Sequence, residues 1–177
     1  MNAIDIIVQS LEENDKYVQD TLNFLTEKEL AWSPEPHSNP IIFLMWHLGR
    51  VEDFWISQVL KGGKQIYETE GWYKKFGTAA QDSGMGFDLA KLKAWPIPSL
   101  KLVQEYKAAV RKNTVAYINS LAEKQLDEPR DFGWSKSTTG WALKHLICEV
   151  GEHSGQIDYI RGIMKGIQQP PEFRKKK

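Results

Sequence analysis

The stretch HLICEVGEHSGQIDYIR carries two of the chain's four histidines, His145 and His153, with Glu149 midway between them. Imidazole and carboxylate side chains at such spacing can ligate a divalent metal. They can also be ordinary helix residues with hydrogen-bonded partners. In a helix each residue turns about 100° and rises about 1.5 Å. If Leu146 centres the apolar stripe, His153 lies roughly 20° from that centre, Glu149 roughly 60° and His145 roughly 100°, all on one side. His153 therefore faces inward, Glu149 sits on the inner flank, and His145 lies near the solvent boundary. Residues four apart are neighbours, so Glu149 can share a metal with either histidine. The two histidines stand about 12 Å apart along the axis and cannot share one. The inward geometry favours Glu149 with His153.

A third ligand has to come from another helix. In FLMWHLGRVEDFW, His47 lies roughly 60° from Leu44, at the edge of an apolar stripe. Two imidazoles and one carboxylate, with positions left open, suit zinc, nickel or ferrous iron. The plainer readings stand beside this one: His47 as a hydrogen-bonded core histidine, Glu149 as a flank residue paired with a neighbour, His145 at the surface, and His37 in a proline-rich loop.

Four helices must position these groups. Ile4, Ile7, Leu11, Val18, Leu22 and Leu25 recur at helical spacing and predict a first helix over residues 3–25. Asn39 as cap and Pro40 at the first position open a second, with Ile41, Leu44, Leu48, Val51, Trp55 and Val59 as its stripe and Gly62-Gly63 as its stop. Ser99 opens a third, marked by Val103, Tyr106, Val110, Tyr117 and Leu121 and ending near Lys124. Thr138 or Thr139 caps a fourth, which runs to about Gly166. Residues 64–98 lack long periodicity but are rich in aromatics, which argues for an ordered crossover rather than disorder. The stretch LDEPRDFGWSKS reads as a loop. The expected fold class is all-α: a four-helix bundle with a long crossover between helices 2 and 3. It forms one domain over residues 1–167, followed by a basic C-terminal tail at 168–177.

Composition narrows the function. Lysine plus arginine and aspartate plus glutamate number 23 each, so no charge excess points to nucleic acid or an anionic membrane. The single cysteine, Cys148, rules out an internal disulfide and fits a reducing compartment. No leader pattern and no membrane-length apolar run is present, so a cytoplasmic protein is expected. There is no nucleophile elbow and no phosphate loop. Glu52 and Asp53 follow His47 closely; Glu52 reads as a surface residue, with support of the site from behind as the alternative, Arg161 as half of an exposed salt bridge, and Gly155 as a close helix contact. The crossover aromatics Trp72, Tyr73, Phe76, Phe87 and Trp95 either line a pocket mouth or seal the bundle's end.

WHLGRVEDFW, the closing HLICEVGEHSGQIDYIRGI with its H-x-G-Q, and GWYKKFG followed by GMGF together resemble the DinB/YfiT-like metalloenzyme superfamily over most of the chain. The resemblance implies a bundle of non-up-down topology. It implies a divalent metal held by one residue of the second helix and an i,i+4 pair of the last, which fall on His47, Glu149 and His153. Glu149 stands where many members have histidine; the carboxylate is a harder ligand and lowers the site's charge by one. The resemblance further implies a homodimer and, in some members, transfer of a low-molecular-weight thiol to an electrophile. The expected function is a divalent-metal-dependent enzyme of thiol-transferase or hydrolase type acting on a small molecule. The alternatives are a bundle that binds metal or ligand without turnover, and a structural or stress-associated dimer without metal.

Overall fold

The computed structural model describes residues 1–166, so the expected tail at 168–177 lies outside the described residues. Four long helices dominate: α1 (Ala3–Leu22), α3 (Ile41–Asp53), α7 (Leu100–Asn119) and α8 (Thr139–Lys165). Between them come α2 (Glu27–Leu30), three short crossover helices α4 (Ile66–Thr69), α5 (Trp72–Phe76) and α6 (Leu89–Ala94), and a two-stranded hairpin, β1 (Pro129–Asp131) with β2 (Lys136–Thr138). α3 continues without a break into a seven-residue π-helical segment, Phe54–Leu60.

The helix starts follow side-chain chemistry. Asn2 and Asp5 cap α1 reciprocally, Ser99 accepts from the Leu102 N–H, and Thr138 accepts from the Trp141 N–H. The start of α3 differs from expectation by one residue: Pro40, extended at ψ 158°, is the cap, and no side chain caps this end. The first helix stops at Leu22 rather than 25, and the third at Asn119, with a 3-10 turn (Glu123–Asp127) beyond. The stretch expected as a loop contains the hairpin, in which Pro129 pairs with Thr138 and Asp131 with Lys136.

α1 packs on α8 and α7, and α3 packs on α7 and α8, so the four helices close a ring with α1 diagonal to α3. Contacts give the directions. Gly49 meets Tyr106, Glu52 meets Arg111 and Ser57 meets Asn113, so α3 and α7 run parallel. Asn14 lies by Gly151 and Thr21 by Asp158, so α1 and α8 run parallel too. His47 opposite His153 and Trp55 opposite Glu149 make α3 and α8 antiparallel. Two parallel neighbours cannot be joined by a tight turn; the chain must first travel back the length of a helix. Residues 61–99 do that, which is why the crossover is long.

α3 departs from the single-stripe pattern expected of it. Every one of its residues except His47 is buried, so it is wrapped by protein on all sides. Its charged residues are therefore paired. Arg50 and Asp53 are 1% and 0% exposed and stand 3.6 Å apart. Glu52 takes Arg111 in a two-pronged pair at 2.8 Å per contact, and Arg111 reaches Asp15 of α1 at 2.8 Å. The surface reading of Glu52 is thus corrected: Glu52, like Asp53, is a buried tie between elements. At Gly49 a Cβ would sit 2.8 Å from Tyr106 Cε1, so glycine is what lets α7 approach.

The crossover aromatics seal the bundle. Tyr67, Trp72, Phe76 and Trp95 are buried, packing around Trp46 and Tyr106. Asp53 accepts from the Ile66 and Tyr67 N–H groups at 3.0 and 2.9 Å, so its carboxylate caps the first crossover helix.

Candidate functional site

A cavity of about 770 Å³ opens between α3, the crossover, the hairpin tip and α8. That volume lies within the range of small-molecule sites. His47, Phe54, Trp55 and Gln58 line it from α3 and its π-helical continuation. Ala80, Gln81, Ser83 and Met85 form the crossover wall, Trp134 comes from the hairpin tip, and His145 and Glu149 come from α8. π-helical segments occur disproportionately beside functional sites, and this one places three side chains in the cavity wall.

His47, the one residue of α3 that is not fully buried, faces this space. Its Nδ1 lies in a short hydrogen bond with the Ser83 carbonyl. A carbonyl only accepts, so Nδ1 carries the proton and the Nε2 lone pair is left free. A strap of crossover residues enforces the geometry. Arg50 donates to the Asp82 carbonyl at 2.9 Å and the Ala80 carbonyl at 3.4 Å, fixing the segment whose next residue is Ser83. Gly84 follows at φ +88°, and a Cβ there would lie 2.8 Å from His47 Nδ1 and 3.0 Å from Phe43 Cζ. Burial pushes the His47 imidazole below its usual range, partly offset by the Ser83 carbonyl; nearby His153 lowers it further and Glu149 raises it. The ring is held as the neutral base that metals ligate.

The structure brings His47 and His153 together, with ring centroids 4.9 Å apart and planes at 76°. His153 Nδ1 donates to Gln156 Oε1 at 3.0 Å, which leaves its Nε2 free as well. Glu149 lines the same cavity but is engaged elsewhere. Its Oε2 accepts from Trp55 Nε1 at 3.0 Å, and its Oε1 lies 3.5 Å from His145 Nε2. His145 is stacked on Trp141, with centroids 5.1 Å apart and planes at 4°, and stands edge-on to Trp55. Among the described residues no three His, Cys, Asp or Glu side chains stand together closely enough to hold a metal ion. Two imidazoles thus stand side by side, while the Glu149 carboxylate is engaged by Trp55 and His145. His37 is exposed.

Other candidate residues resolve simply. Arg161 donates to the Gly166 carbonyl at 3.1 Å, closing the end of α8, and among the described residues it forms no salt bridge of the expected kind. A Cβ on Gly155 would meet nothing within 4 Å, so no close helix contact requires that glycine. Cys148 is free and exposed. The residues that sequence reasoning missed are Arg50, which organises the strap, and Phe54 and Trp134, which wall the cavity. An arginine one turn after His47 on so apolar a helix was the available signal for the first. Nothing in the sequence placed Trp134 opposite α3.

The family model described as the DinB superfamily matches residues 10–157, and the chain belongs to that superfamily. Among solved structures, the chain resembles a conserved protein from Enterococcus faecalis, at 25% identity and a TM-score of 0.81, over 94% of this chain and 99% of that one. It also resembles a DinB-like protein from Bacillus cereus ATCC 10987, at 19% identity and a TM-score of 0.62, over 93% of each chain. The second likeness shows the fold alone. None of the curated proteins compared with the chain matches it. Among the described residues no helix is long and apolar enough to cross a membrane.

Proposed function

We propose that His47, Glu149 and His153 hold a divalent metal, zinc or nickel first and iron third, and that the chain is a metal-dependent enzyme of thiol-transferase or hydrolase type. The observation that carries this reading is the pair of imidazoles 4.9 Å apart, each with Nδ1 tied to an oxygen and Nε2 free. When bound, such a metal supplies Lewis acidity that makes a coordinated thiol or water nucleophilic at neutral pH. The chain's own residues do the rest. The Ser83 carbonyl fixes the tautomer of His47, and Gln156 orients His153. The Trp55 N–H and His145 hold Glu149 beside the site and must release it for ligation. The aromatic walls limit water around a small electrophile.

Both oxygens of Glu149 are already engaged, and this favours a second reading: the cavity binds a small molecule without turnover. Elemental analysis of tag-free protein separates the two. About one divalent metal per chain, lost in Glu149→Ala and in His153→Ala, is the expected result. Wild-type protein that stays metal-free after zinc and nickel are supplied sinks the first reading. A metal-loaded protein with no thiol- or water-dependent turnover leaves binding alone. The superfamily resemblance also carries the proposal of a cytoplasmic homodimer, which light scattering tests for its assembly.

A further inference from the structure

The hairpin tip holds an unusual tryptophan. Phe132 on the same tip turns inward and is buried against Trp55 and Trp141. Trp134, two residues on, is 61% exposed and yet forms part of the cavity wall. Its ring lies 6.4 Å from Phe54 with planes at 22°, and 6.2 Å from Trp55 with planes at 75°. The three rings thus offer a face and an edge to the same space, the two geometries in which aromatic groups attract one another.

Cations cover other rings of the protein but not these. Arg50 stands over Tyr67, Lys75 over Trp72 and Lys91 over Phe87. Among the described residues no lysine or arginine stands over Phe54, Trp55 or Trp134. The charges on the cavity wall are already engaged: Arg50 pairs with Asp53, Lys64 pairs with Glu68, and Glu149 accepts from the Trp55 N–H and lies against His145. An anionic ligand would find no free lysine or arginine here, a cationic one would have to draw Glu149 away from Trp55 and His145, and a neutral one would disturb none of these contacts.

We propose that Phe54, Trp55 and Trp134 form an aromatic subsite at the cavity mouth that takes the neutral, flat aromatic part of a small molecule. Trp134 is its specificity-determining residue. The hairpin exists to present it, since Phe132 anchors the tip from within while Trp134 covers the opening. The other end of such a ligand points toward His47 and Glu149, where the proposed chemistry takes place. The subsite itself does not depend on a metal.

The test uses the full, metal-free chain labelled with 5-fluorotryptophan and read by fluorine NMR. The seven tryptophan signals are assigned by single Trp→Phe substitutions. The probes are naphthalene-2-methanol, its saturated decalin counterpart, and naphthylmethylammonium and naphthoate as cation and anion. The expected result is a saturable shift of the Trp134 and Trp55 signals by the neutral naphthyl probe. Trp134→Ala should weaken that probe by about tenfold while the decalin probe changes little. Because Trp134 is exposed, the variant should melt like wild type, and Trp134→Phe should restore part of the affinity. Equal affinity of naphthyl and decalin probes overturns the aromatic subsite. Tighter binding of either charged probe overturns the neutral class. Shifts at Trp134 that follow protein concentration rather than probe would mean that a second copy covers the patch, which also overturns it. Naphthyl binding unchanged in His153→Ala is expected, so the subsite stands or falls separately from the metal reading.

Discussion

At the scale of single residues, His47 shows how one side chain is held for use by groups that never touch a ligand. Arg50 fixes two carbonyls of the strap, the strap presents the Ser83 carbonyl, and that carbonyl sets the tautomer. Gly84 closes the arrangement at a backbone angle that favours glycine. Gly84→Ala should therefore destabilise the fold by about 1–3 kcal/mol, measured by urea denaturation, and displace the His47 ring, seen as a changed Nδ1–H signal by NMR. An unchanged midpoint would show that the strap yields at no cost. Asp53 is a second such residue, serving Arg50, the Tyr106 hydroxyl and the first turn of α4 at once. Asp53→Ala leaves a buried guanidinium without its carboxylate and should cost about 3–5 kcal/mol in the same assay. Helical angles alone placed His47 and His153 on inward faces, and the structure sets them side by side. They could not show that Glu149 leans to Trp55 and His145, because spacing fixes the direction of a Cβ and not the rotamer. Nor could they show that Glu52 is buried, because its partner Arg111 lies 59 positions away.

At the scale of elements, the starts of α7 and α8 were legible because the capping residues, Ser99 and Thr138, act on backbone three positions away. The hairpin was not, since three-residue strands are too short to show alternation. The short helix α2 illustrates how elements are tied over distance. Glu29 closes a capping box with Thr26 and also pairs with Lys165 near the end of α8. The Lys165 ammonium, with the Thr26 backbone and side chain, holds the Glu29 carboxyl down from 4.5 to about 2. The folded state therefore binds the proton less readily than the unfolded chain does. The sign follows: this contribution is present above pH 4.5 and is lost as pH falls toward 2. Glu29→Gln should lower the thermal midpoint at pH 7 slightly and flatten its decline between pH 4.5 and 2. Parallel pH curves for variant and wild type would refute the link. The pair is solvent-accessible, so added salt should narrow the gap at neutral pH.

At the scale of the whole molecule, the topology explains why so much of the chain lies outside long helices. Because α3 and α7 run parallel, the connection must recross the bundle, and a 20-residue helix such as α7 is about 30 Å long. A four-residue linker spans at most about 14 Å, so no short turn can replace residues 64–98. Length is only half of the requirement. The crossover also supplies Tyr67, Trp72, Phe76 and Trp95 to the core, and the strap that orients His47. Truncating one buried Phe or Trp costs about 3–5 kcal/mol, and a domain's entire stability is about 5–15 kcal/mol. Losing all four aromatics therefore exceeds what the remaining core can carry. Two replacements of residues 64–98 separate reach from sealing. A four-residue linker should abolish the monomeric fold outright. A Gly/Ser linker of the original length can span the gap but supplies no aromatic side chain, and it should also fail to give a cooperative melt by circular dichroism. If the length-matched chain instead melts cooperatively with native helix content, the crossover is a tether and the bundle is stable without its seal. The His47 side of the cavity would then be open to water, and the orientation of that histidine would have to come from α8 alone.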